Sequence, residues 1–137
     1  MEYVIGVILG FAVAGFSSVV GFDRDRSFYP TVLIVIAAYY VLFAAMGAPA
    51  RIIGIETAIA GGFLLIAVLG YKNNPWLVAA GIAGHGLMDF VHHLFIYNAG
   101  MPEWWPGFCG AVDVTLGGLL AVQLMRARHV SSNRPAS

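Results

Sequence analysis

The chain has 137 residues, 60% of them hydrophobic and 10% charged, and its formal net charge is zero; its mean hydropathy is +0.83. A soluble domain carries roughly 25% charged residues, so these side chains cannot face water all round, and lipid is the solvent that suits them. The balanced charge excludes a bulk attraction to nucleic acid, and a lone cysteine, Cys109, excludes an intrachain disulfide or a zinc-finger framework.

A spanning helix needs about 20 mostly apolar residues. The first such stretch, Tyr3 to Val20, has no basic start and is longer than a signal core, so it reads as a retained helix rather than a cleaved signal. Its Gly6, Gly10 and Ala14 stand at the small-xxx-small spacing that lets helices approach closely. Packing within the molecule is the first reading of that stripe, and a homo-oligomer interface the second. The charged segment Gly21–Arg26 precedes a second stretch, Tyr29 to Met46, and the turn Gly47-Ala48-Pro49 a third, Arg51 to Leu69. Lys72-Asn73-Asn74-Pro75 is a polar turn that starts the fourth, Pro75 to Tyr97. The longest break holds Gly100 to Pro106, and the fifth stretch runs from Gly107 to Leu124. The expected fold is an all-α integral membrane protein, a bundle of five transmembrane helices. Residues 1–128 form a single transmembrane helical domain, and residues 129–137 a polar, disordered cytoplasmic tail. No internal repeat supports an inverted-repeat transporter.

Basic residues set the orientation. Arg24 and Arg26 follow the first stretch, Lys72 the third, and Arg126, Arg128 and Arg134 the fifth, leaving Arg51 alone on the other side. The positive-inside pattern then puts the N-terminus outside and the C-terminus inside. Tyr71 and Trp76 fall at the inner interface, with Tyr97, Trp104 and Trp105 at the outer one.

Ionisable residues inside spans are expensive, and by default they mark function. Here they are Glu56 on the third stretch, His85, Asp89, His92 and His93 on the fourth, and Asp113 on the fifth. At 100° per residue, His85, Asp89 and His92 fall within about 60° of one another, and His93 sits at the edge of that arc. The spacing His-x3-Asp-x2-His suits metal ligation from one helix face. At 1.5 Å per residue, Glu56, His92 and Asp113 lie roughly 8–9 Å below the outer ends of their spans, with Asp89 and His85 deeper. Three helices thus bring ionisable groups to one slab in the outer half of the membrane. Three carboxylates and three imidazoles at low dielectric need compensation. A divalent metal supplies it, zinc first and iron or manganese next; a partly protonated hydrogen-bonded network is the alternative. Glu56 and Asp113 are the candidate catalytic bases. Cys109 reads as a packing residue, Tyr39 and Tyr40 as packing aromatics of which one could donate to a carboxylate, and Glu103 and His129 as solvated. Trp104-Trp105-Pro106 reads as an interface anchor.

His85-Gly-Leu-Met-Asp89-Phe-Val-His92-His93, then Trp105-Pro106-Gly107-Phe108-Cys109 and Asp113, resembles a pattern in small bacterial multi-pass membrane proteins of no known activity. The resemblance covers about a quarter of the chain and implies a bacterial inner membrane. From spacing and depth the leading expectation is a metal-dependent membrane enzyme, a hydrolase or an oxidoreductase, acting on a lipid or apolar substrate near the outer leaflet. In outline it resembles the intramembrane zinc hydrolases of the ceramidase type, whose motifs are absent. The alternatives are an oligomeric transporter of protons or metal ions, and an accessory subunit with a structural polar network or a haem shared between protomers.

Overall fold

A chain surrounded by lipid must satisfy its own N–H and C=O groups, which favours helices wherever apolar runs are long enough. The computed structural model describes residues 1–132. Its elements are α1 (Glu2–Val20), α2 (Phe28–Gly47), α3 (Ala50–Lys72), α4 (Pro75–Phe95) and α5 (Trp105–Ser132), with a 3-10 turn at Phe22–Arg24. Each expected stretch is helical, except that the fourth ends at Phe95 instead of Tyr97, while the fifth starts earlier, at Trp105, and runs past Leu124; polar punctuation marks the breaks. Gly21 takes the left-handed conformation (φ 89°) and donates its N–H to the Ser17 carbonyl, closing α1. Asn74 Oδ1 accepts from the Trp76 N–H at 3.0 Å, and Pro75 occupies the first turn of α4. In the turn before α2, Asp25 accepts from the N–H and hydroxyl of Ser27. The backbone bond leads in holding its carboxyl below the usual range.

Four helices are long and apolar enough to cross a membrane: α1, α2, α3 and α5 over Trp105–Val130. That suggests a membrane protein. The expected fourth span, α4, is not among them, because His85, Asp89, His92 and His93 dilute its apolar content. Its packing offsets this, since α4 lies against α5, α3 and α2 and buries His85, Asp89 and His92. Helix α1 packs on the other side of α5, and α2 packs on α3. Large apolar side chains such as Ile8, Phe11, Leu64 and Leu65 face outward, as lipid-facing surfaces do. Helix α5 continues to Ser132, so the tail expected to be disordered from residue 129 is helical that far; residues 133–137 lie outside the described residues.

Small residues decide which helices touch. A Cβ on Gly6 would come within 2.5 Å of the Phe108 carbonyl, and one on Gly10 within 2.8 Å of Thr115. The Gly6–Gly10–Ala14 stripe is therefore occupied by α5 of the same chain, the first of its two readings. At the level of the ionisable residues, a Cβ on Gly86 would meet Asp113 Cβ and the Gly110 carbonyl, each at 2.9 Å. This close approach lets α4 and α5 share one polar site.

The helix ends sort into two sets. At one end Arg26 donates to the Tyr71 carbonyl at 3.0 Å, Gln123 reaches Asp23 at 3.4 Å, and the Arg128 guanidinium lies 5.2 Å from the Trp76 ring centre. At the other end Tyr3 stacks on Phe90 at 6.2 Å, and Trp105 packs on Tyr39 and Phe43 at 5.1 and 4.9 Å. Arg24, Arg26, Lys72, Arg126 and Arg128 belong to the first set of ends, and Arg51 to the second.

Candidate metal centre

Helix α4 presents His85, Asp89 and His92 on its buried face, and its neighbours supply the partners. From α5, Asp113 Oδ2 lies 2.8 Å from His85 Nδ1, while Asp89 Oδ1 lies 3.6 Å from the same nitrogen. One turn before Asp113, the Cys109 thiol donates to Asp113 Oδ2 at 3.6 Å. His85, Asp89, Cys109 and Asp113 each offer one ligand atom, and these atoms all lie within 4.8 Å of one another. All four residues are buried, so this group of nitrogen, oxygen and sulfur donors could hold a metal ion.

A second pair lies alongside. From α3, the Glu56 carboxylate meets His92 Nε2 at 3.0 and 3.2 Å. Asn98, in the connection between α4 and α5, donates one amide hydrogen to Glu56 Oε1 and the other to the Tyr40 carbonyl, each at 3.1 Å. Tyr40 of α2 joins the two halves. Its hydroxyl donates to Asp89 Oδ1 at 2.6 Å, and its ring packs on His92 with centres 4.4 Å apart.

Two features show that these polar groups do not complete themselves. His85 Nε2, Asp89 Oδ2, His92 Nδ1 and Asp113 Oδ1 are buried with no hydrogen-bond partner among the described residues, and such orphans are rare because each forfeits its hydration. The charges do not balance either. Glu56, Asp89 and Asp113 are buried with only His85 and His92 as potential cations, and no Lys or Arg is among the buried described residues. Two imidazoles offset at most two of three carboxylates, so at least one proton or cation must make up the difference. Which His85 nitrogen carries the proton follows from the occupant. Paired with Asp113, Nδ1 carries it; as a ligand, it gives it up.

The expected ligands thus divide. His85, Asp89 and Asp113 come together as expected, and Cys109, read as packing, joins them. Glu56 and His92 form a neighbouring pair outside that four-residue group, and His93 is exposed. Of the two tyrosines, Tyr40 is the one that donates to a carboxylate; Tyr39 packs on Trp105. Glu103 and His129 are exposed. Asn98 is the residue missed from sequence. It carries no charge and lies in a break between helices, where polar residues are ordinary, and its one signal was a lone amide just past the histidine-rich end of α4. Comparison with known protein families, curated proteins and solved structures found no match.

Proposed function

We propose that this is a five-span membrane protein, N-terminus outside and C-terminus inside, that binds one divalent metal through His85, Asp89 and Asp113 with Cys109 beside them. Its chemistry is metal-dependent catalysis on a lipid or other apolar substrate near the outer leaflet, and the bacterial inner membrane is its site of action. The observation that carries the metal is the convergence of four buried donors within 4.8 Å. A bound divalent ion with an open position would activate water near neutral pH. Zinc suits the mixed donor set best, with iron next and manganese disfavoured by the thiol. Glu56, held by His92 and Asn98 in the neighbouring half of the polar site, is the proton acceptor in this reading, and Asp113 reads as a ligand before it reads as a base.

Helix α4 supports the fifth span. Its 21 residues make a rod of about 31 Å, the thickness of the hydrocarbon core, and its polar face turns inward. Transport has less support. One turn from His85, Asp113 and Tyr40 towards the basic end stand Ile82, Leu116 and Ile36, all buried in the apolar core. The polar groups therefore stop at an apolar layer instead of continuing across the bundle.

Two measurements test the proposal. Protein purified in detergent with no added metal should carry about one equivalent of zinc or iron per chain by inductively coupled plasma mass spectrometry. Protein that is metal-free as isolated and fails to bind zinc, iron or manganese on titration would leave only a structural polar network. For topology, reporter fusions at Lys72 and after Arg128 should read cytoplasmic, and one at Pro102 external. An external C-terminus would sink the orientation.

A further inference from the structure

A cleft of about 300 Å³ opens among the start of α1, the end of α4 and the connection that follows it. Its lining includes Asp89 and Asn98, both buried, and so it touches both halves of the polar site. Asp89 spends one oxygen on Tyr40, and the other, Oδ2, has no partner. Farther out, the same cleft is lined by His93 and Glu103, both exposed. His93 stands one helical turn beyond Asp89, on the same side of α4. The cleft thus carries an imidazole and a carboxylate in its exposed part and, at its buried part, Asp89, one of whose oxygens has no partner among the described residues.

We propose that this cleft is the loading route for the divalent cation, with His93 and Glu103 as transient ligands at its mouth that pass the ion to Asp89. The inference rests on the metal reading above and adds the route, its direction and two residues. A hydrated dication sheds its water in stages, and donors already exposed replace the first waters with little desolvation cost. The route gives a role to a histidine that stands next to His92 yet is exposed rather than buried. It also places loading at the end of the bundle that holds Arg51, opposite the end with Arg26, Lys72 and Arg128. With the proposed orientation, metal arrives from outside.

The test uses the full chain in detergent, stripped of metal by chelator, with zinc added and uptake followed through a fluorescent zinc indicator. The double variant His93→Ala, Glu103→Gln should slow uptake about tenfold, the size of a local electrostatic and ligand-capture effect, while the final stoichiometry matches wild type. As a second arm, His93→Cys carrying a bulky methanethiosulfonate adduct should load slowly, and reduction of the adduct should restore the rate. Wild type, whose one cysteine is the buried Cys109, controls for labelling. Unchanged rates in both arms would overturn the route. A double variant that loses stoichiometry along with rate would also overturn it, because His93 or Glu103 would then belong to the binding group itself. A wild type that takes up no zinc, iron or manganese would instead strike the metal reading.

Discussion

His85→Ala is expected to lower bound metal to below about a tenth of the wild-type content, because loss of even a supporting metal contact commonly costs 10–100-fold in affinity. His85 is the side chain that lies between two carboxylates, 2.8 Å from Asp113 and 3.6 Å from Asp89. Without it, both carboxylates stay buried, with the thiol of Cys109 and the hydroxyl of Tyr40 as their remaining donors. Stranding one member of a buried ion pair costs about 3–5 kcal/mol, so thermal denaturation in detergent should shift downward as well. The two effects can be separated. Adding Asp113→Asn to His85→Ala removes the stranded charge, and should recover much of the stability without recovering the metal. His85→Asn, which keeps an amide donor near Asp113, should fold and still lose metal. Wild-type metal content in His85→Ala would remove this residue, and with it the four-donor site.

Much of this arrangement was legible in the sequence. The lengths of the apolar runs, the charged turns and the Gly6–Gly10–Ala14 stripe led to the helices and to one close contact. The 100° wheel placed His85, Asp89 and His92 on one face, and all three are buried. Rise per residue and a helical wheel locate a side chain along and around its own helix, but they do not say which neighbour it meets. Glu56 and Asp113 were placed at one depth, yet α3 and α5 meet the same face of α4 at points two helical turns, about 10 Å, apart along its axis. Glu56 therefore reaches His92, and Asp113 reaches His85. Cys109 was discounted because a lone thiol among apolar residues usually packs. It becomes a candidate donor because it lies one turn from Asp113 and because Gly86 lets α5 come close. Tyr40 and Tyr39 were indistinguishable by sequence; only the packing of α2 decides which hydroxyl faces Asp89.

The division between the two halves leads to the other large effect, at Glu56. Glu56→Ala should cost stability of about 3–5 kcal/mol, since it leaves His92 Nε2 and one Asn98 amide hydrogen unpaired in a buried setting. Glu56→Gln should cost only about 1 kcal/mol. The new carbonyl still accepts from Asn98, and the new amide can donate to His92 Nε2 when the imidazole proton sits on Nδ1. Neither change should strip the metal, because Glu56 lies outside the group formed by His85, Asp89, Cys109 and Asp113. This is where a ligand and a base part company. A ligand removed takes the ion with it, whereas a base replaced by its amide leaves the ion bound and stops the proton transfer that turnover needs. Metal content and thermal stability of the two variants, measured side by side in one detergent, decide, without knowledge of the substrate, whether Glu56 is a ligand. Loss of metal from Glu56→Gln to the extent seen in His85→Ala would mean that the two halves are one ligand set. Glu56 would then give up its role as the proton acceptor.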